Sequence, residues 1–181
     1  HLNPVLEAAG MTVVETDLGE YIVQLAGETP SHIIAPAVHK TREQITDLFH
    51  EHHSPLGYTD RVTQREALVN EARSVLRERF VAADVGITGA NFLVAETGAN
   101  VIVTNEGNGD LTSCLPRVHI VTAGIEKVIP SLDDLAVLLR VLARSATGQE
   151  FSASTSLYSG PRRTDEMEGP EAYHVVLLDN G

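Results

Sequence analysis

Residues 84–124, DVGITGANFLVAETGANVIVTNEGNGDLTSCLPRVHIVTAG, hold three short Val/Ile-rich runs, and each ends in a cluster of Gly, Asn, Thr and Glu. Apolar runs of this length suit strands buried on both faces of a parallel sheet. Open α/β sheets bind ligands beyond the C-terminal ends of their strands. A site is therefore expected at Glu96, Thr97 and Gly98 and at Asn105, Glu106, Gly107, Asn108 and Gly109, with Gly89 beside them after the first run.

Around these runs, helical and extended patterns alternate. Residues 12–15 (TVVE) read as a strand. Asp17 with Glu20 then forms a capping-box pattern, and Leu18, Tyr21, Ile22 and Leu25 fall on one helical face. Residues 32–37 (HIIAPA) read as a strand. Thr41 and Gln44 open a helix to about His50, and Thr63 and Glu66 open a longer one. Leu68, Ala72, Val75, Leu76 and Phe80 line one side of that helix, while Arg65, Glu71, Arg73, Arg77 and Glu78 mostly line the other. Strands are expected over 84–88, 101–104, 118–122 and 175–178, with a short run at 151–158. Ser131 and Asp134 cap a helix to about Ala143 that is apolar on most sides and so expected to be well buried.

The alternation predicts one α/β domain with a mostly parallel sheet flanked by helices. Right-handed crossovers would gather Glu15, Thr88, Asn105, Thr122 and Asp179 on one edge.

Apolar residues make up 43% of the 181, but aromatics only 4% and there is no Trp, so the core must be Val, Leu, Ile and Ala. With 25 acids against 13 bases the net charge is −12, which disfavours nucleic acid and anionic membrane as partners. The longest apolar stretches are too short to span a bilayer. One cysteine, Cys114, excludes an internal disulfide and any four-thiolate metal or iron–sulfur site made by this chain alone. A reducing cytoplasmic setting is expected. The start at His1 without Met, and the stop just after residues 174–178, read as a piece of a longer protein truncated at both ends.

Each candidate has a plain structural reading beside the functional one. The glycines of residues 105–109 let backbone approach a ligand, and exposed N–H groups there suit a phosphate or carboxylate; the same segment also suits an ordinary turn. It is neither a Walker A loop nor a dinucleotide fingerprint. Glu96 and Glu106 are candidate carboxylate nucleophiles or bases, or loop braces. His32, His39, His119 and His174 fall near strand ends without close metal-ligand spacing, and structural hydrogen bonding is the leading reading of each. His50, His52 and His53 read as a solvated helix end. Arg162 and Arg163 suit bidentate anion contacts, or pairing with Asp165, Glu166 and Glu168. Cys114 reads as a small apolar filler.

Several words of the sequence go further. ETDLGEYIVQL (15–25), PSHIIAPAVHK (30–40), GITGANFLVAETG (86–98), TNEGNG (104–109), LPRVHI (115–120), GIEKVIP (124–130), SATGQ (145–149), GPRR (160–163) and HVVLLDNG (174–181) together resemble the lactate-utilisation B branch of the LUD-domain family, in one order over nearly the whole chain. That resemblance implies a fold like the sugar-phosphate isomerases and CoA-transferases. It implies the iron–sulfur component of a three-protein system that oxidises L-lactate to pyruvate with electron transfer, so the other two proteins of that system are the expected partners. Its 4Fe-4S clusters are implied in a C-terminal segment absent from this chain, so no cofactor is expected in these residues. The 181 residues then read as a core module that binds a small carboxylate or phosphate, or a partner. Two alternatives stand beside it: an acyl- or CoA-transferase using Glu96 or Glu106, and a pure docking scaffold.

Overall fold

The computed structural model describes residues 2–33, 35–104, 106–150, 152 and 154–179, the side chain of Thr147 excepted. The chain divides into two compact units, residues 1–79 and 80–181.

The first unit is helical. Helix α1 (Asn3–Ala8) carries Pro4 in its first turn, where the missing N–H costs nothing. Helix α2 (Leu18–Leu25) is capped by the Asp17 carboxylate, which accepts from the N–H groups of Gly19 and Glu20. Helix α3 (Arg42–His53) opens on a complete capping box between Thr41 and Gln44 and runs three residues beyond the expected end. Helix α4 (Arg65–Ala82) starts one residue inside the pattern of Thr63 and Glu66 and leads into the second unit. Tyr21, Ile22 and Val23 from α2, Phe49 from α3, and Leu68, Ala72, Val75 and Leu76 from α4 are buried.

Two strands expected in this unit do not form. Over 12–15, the Glu15 N–H donates to Gln24 Oε1 and the Val13 carbonyl accepts from Gln24 Nε2, both at 2.9 Å. A side chain of α2 thus serves these backbone groups where a neighbouring strand would have. The described residues of 32–37 turn instead of extending, because the N–H and Oγ of Ser31 both donate to the Pro36 carbonyl at 3.1 Å.

The second unit is a mixed α/β structure in which three of the five strand pairings among the described residues are parallel. Strands β1 (Val85–Thr88), β4 (Val118–Gly124) and β7 (Ala172–Leu178) form a parallel sheet in the order β1-β4-β7, with Val85 opposite Val118 and Val118 opposite Ala172. Strands β2 (Phe92–Val94), β3 (Ala99–Thr104), β5 (Val128–Ile129) and β6 (Ser154–Tyr158) form a second sheet in the order β5-β2-β3-β6. There β3 runs antiparallel to both β2 and β6. β2 and β5 are too short to stand out in a sequence.

Helix α5 (Asn108–Cys114) packs on β1 of one sheet and β3 of the other. Helix α6 (Leu132–Thr147) covers the second sheet, where Val94, Val101, Ile129 and Leu135 form a buried cluster with Phe92, Leu138 and Leu139 against it. Full burial of each such side chain is worth about 1.5–3 kcal/mol. Contrary to expectation, α6 is not buried all round: Val137 is 65% and Val141 56% exposed. Its apolar content overstated burial because only one side of the helix meets the sheet. On β4 the alternation puts His119, Val121 and Ala123 on one buried face, where Val121 and Ala123 meet Leu93, Ala90 and Tyr173.

Candidate functional site

The chain places the expected site residues in three locations, not along one edge. The first is the hairpin between β2 and β3. Gly98, at φ +70°, sits in its turn, where the N–H groups of Thr97 and Gly98 both donate to the Val94 carbonyl. Thr97 Oγ1 accepts from the Ala99 N–H. Glu96 is a brace: its Oε2 accepts the Leu132 N–H at 3.1 Å, at the start of α6, while its own N–H donates to Pro130 O. A carboxylate there satisfies a helix-start donor and meets the positive end of the helix dipole.

The second location is the far end of β3. Six strand residues separate it from the hairpin turn, roughly 20 Å along the strand. The two Gly/Asn-rich clusters therefore cannot share a small ligand, because β2 and β3 form an antiparallel hairpin where parallel strands with a crossover had been expected. Gly89 directly follows β1. The loop it opens returns through Asn91, whose N–H donates to the Val101 carbonyl at 2.9 Å and whose Oδ1 accepts the Val103 N–H at 2.8 Å. Beyond β3, Thr104 Oγ1 accepts from the N–H groups of Glu106 and Gly107 and donates to Asn108 Oδ1. Asn105 lies outside the described residues. Gly107, at φ +76°, precedes the first turn of α5, and a Cβ on Gly109 would stand 2.9 Å from Ile102 Cγ2. Gly109 is thus required by close helix–strand packing. Glu106 sits on the exposed turn.

The third location holds Arg162 and Arg163. Arg162 pairs with Glu171 at 3.0 Å, and Arg117 donates to the same carboxylate. Arg117 precedes β4 and Glu171 precedes β7, so this group lies at the N-terminal edge of the parallel sheet, opposite Gly89. Arg163 N–H donates to Glu166.

Between the two sheets runs a polar cluster that spacing did not announce. His119 is 0% exposed; its Nε2 is hydrogen-bonded to Thr88 Oγ1 at 2.9 Å and lies 3.4 Å from Ser113 Oγ. Burial pushes its imidazole down to about 4, so it is neutral at pH 7. Tyr173 and Tyr158 stand edge-on to its ring at 5.5 and 6.0 Å. Tyr173 donates to Asn100 Oδ1 at 2.8 Å, and Asn100 is itself fully buried. Tyr158 and Ser156 both donate to Asp110 Oδ1, on the first turn of α5, at 2.5 and 2.6 Å. Burial, and then the bond to Asp110, pushes the Tyr158 hydroxyl up. Burial also pushes the Cys114 thiol up, opposed by the Tyr158 hydroxyl. Cys114 therefore stays protonated and is a poor nucleophile or metal ligand at neutral pH. The one available signal was scarcity: two of only four tyrosines meet here.

The histidine readings divide. His119 is buried and hydrogen-bonded. His53 is the correction: it is 1% exposed, with Tyr21 Oη 2.9 Å from Nε2 and Glu71 Oε1 2.8 Å from Nδ1. Glu71, assigned to the polar face of α4, is 8% exposed for the same reason. Among the described residues, no group of three His, Cys, Asp or Glu side chains is placed to hold a metal ion, and no helix is long and apolar enough to cross a membrane.

The family model described as LUD domain matches residues 4–178. Over its whole length the chain is 47% identical to Lactate utilization protein B of Anoxybacillus flavithermus, 50% to that of Bacillus velezensis and 48% to that of Bacillus subtilis. It spans 37–38% of the length of these curated relatives. Among solved structures, a DUF162 family protein from Deinococcus radiodurans aligns with 97% of this chain and 92% of its own, at 17% identity and a TM-score of 0.40.

Proposed function

Because the chain belongs to the LUD-domain family, we propose that it serves as the core domain of a protein taking part in lactate utilisation, the oxidation of L-lactate to pyruvate with electron transfer. Identity of 47–50% across every residue with proteins named Lactate utilization protein B is the observation that carries this reading. Within it, the loops at Gly89–Asn91 and Thr104–Asn108 bind a small carboxylate or phosphate, or meet one of the two other proteins of the system. The support is local: backbone and Asn91 bonds tie the first loop to β3, and Thr104 fixes the second.

Electron transfer through 4Fe-4S clusters is the finer part of the proposal. These residues do not fit such a cluster, since it needs four thiolates and the chain supplies only Cys114, which burial keeps protonated. Clusters serving this function would be held by other sequence.

The test is a chimera. Residues 2–179 replace the matching region of the Bacillus subtilis protein in a strain deleted for it, and growth is scored on L-lactate and on glucose. Growth on both is expected. Growth on glucose alone, with the chimera at normal abundance, would overturn the reading. The exposed turn at Glu106 supports a second reading, acyl or CoA transfer through that carboxylate, while the engagement of Glu96 with α6 argues against Glu96. Incubation with an acyl-CoA and intact-mass measurement separates the two, because only transfer leaves a glutamyl thioester.

A further inference from the structure

The segment PSHIIAPAVHK lies far in sequence from the loops assigned above and carries a constellation of its own. After α2 the chain forms a surface loop whose spine is fixed by buried Pro36, set closely against Gly19. Ser31 closes the loop through two bonds to the Pro36 carbonyl. His39 then bridges two partners: its Nδ1 is 2.7 Å from Ser31 Oγ, and its Nε2 is 2.7 Å from Glu28 Oε2. Lys40 Nζ holds the other carboxylate oxygen at 2.5 Å.

A serine hydroxyl is a weak nucleophile until a positioned base takes its proton, and the base acts best when a third group orients it. All three parts are present. The Ser31 hydroxyl, which donates to the Pro36 carbonyl at 3.1 Å, turns about its Cβ–Oγ bond to give its proton to His39 Nδ1 at 2.7 Å, with Nε2–H donated to Glu28. The bonds of Glu28 to Lys40 and His39 hold its carboxyl below the usual range, so it stays ionised. The roles of the two imidazole nitrogens are exchanged relative to a chymotrypsin-type triad, which is chemically equivalent. Ser31, His39 and Glu28 are exposed, so a substrate has access, and Ile33 and Val38 present apolar surface on the same loop.

We propose that Ser31, His39 and Glu28 form a serine-hydrolase-type site for esters or thioesters of small apolar acyl groups. Ser31 Oγ attacks the carbonyl carbon while its proton passes to His39 Nδ1. The bond to the leaving group breaks, and the alcohol or thiol departs with that proton. Water then attacks the acyl-serine, His39 again carries the proton, and the carboxylic acid leaves with Ser31 restored. Ser31 is the nucleophile, His39 the base, and Glu28 a positioning residue.

The test uses the whole chain with a fluorophosphonate probe and, separately, p-nitrophenyl butyrate. Phosphonylation is expected at Ser31, mapped by peptide mass spectrometry, and lost in Ser31→Ala. His39→Gln should slow labelling about 100-fold, the usual worth of a general base. Glu28→Gln should slow it less, and Glu28→Asp should restore part of the rate, while circular dichroism stays unchanged for all variants. Ester hydrolysis should fall in the same order. Absence of an adduct at millimolar probe, labelling equal in heat-unfolded protein, or labelling that ignores His39 would each overturn the proposal.

Discussion

Lowering the pH should destabilise the second unit through one residue, His119. Its ring is fully buried, with Thr88 and Ser113 at Nε2 and the edges of Tyr158 and Tyr173 around it. Burial lowers its folded pKa from 6.5 to about 4. Between those two values the unfolded chain binds a proton that the folded chain does not, so stability rises with pH across the window and is lost as pH falls through it. A shift of this size corresponds to about 3 kcal/mol in full, of which about 2 kcal/mol is already lost at pH 5 relative to pH 7.5. Urea unfolding followed by far-UV circular dichroism from pH 7.5 to 4.5 measures this. His119→Gln keeps a polar group beside Thr88 but cannot titrate. The drop in stability between pH 7.5 and 5 should be about 2 kcal/mol smaller in the variant than in the native chain. Equal drops in the two proteins would refute the assignment of a buried neutral imidazole.

In the first unit, His53→Ala should cost about 3–5 kcal/mol, because it strands the Glu71 carboxylate among buried groups. Glu71→Gln should cost less, since an amide oxygen still accepts from the imidazole; a larger loss in Glu71→Gln, read in the same unfolding assay, would contradict the pairing. Glu96→Ala should cost about 1 kcal/mol through the lost contact at the start of α6 and leave function in the chimera intact. Loss of growth on L-lactate at unchanged stability would instead give Glu96 a chemical role.

Local rules made much of this chain legible. Asp17, Thr41 and Ser131 cap helices as their side chains require, and the three longer strand runs appear where Val and Ile cluster. Pairing direction was less accessible. The runs at 92–94 and 99–104 are joined by a turn of four residues, Ala95 to Gly98, and that length demands an antiparallel hairpin. Reading residues 95–98 as a ligand loop concealed the hairpin and placed Thr97 and Gly98 beside Gly107 when they sit at the other end of β3. Buried polar partners were hidden for another reason. His53 with Glu71, and Asp110 with Tyr158, are separated by 18 and 48 residues, so no periodicity in sequence couples them. The triad of Glu28, Ser31 and His39 likewise depends on a loop closure that a strand over 32–37 would have forbidden.

Amide shifts recorded in the folded chain during titration with L-lactate, and in parallel with pyruvate, test the proposed site most directly. Shifts are expected at Gly89, Asn91, Glu106, Gly107 and Asn108, with Thr97 and Gly98 unmoved at the far end of β3. No shift at the first group at millimolar ligand, or shifts confined to Thr97, Gly98, Arg162 and Arg163, would contradict it.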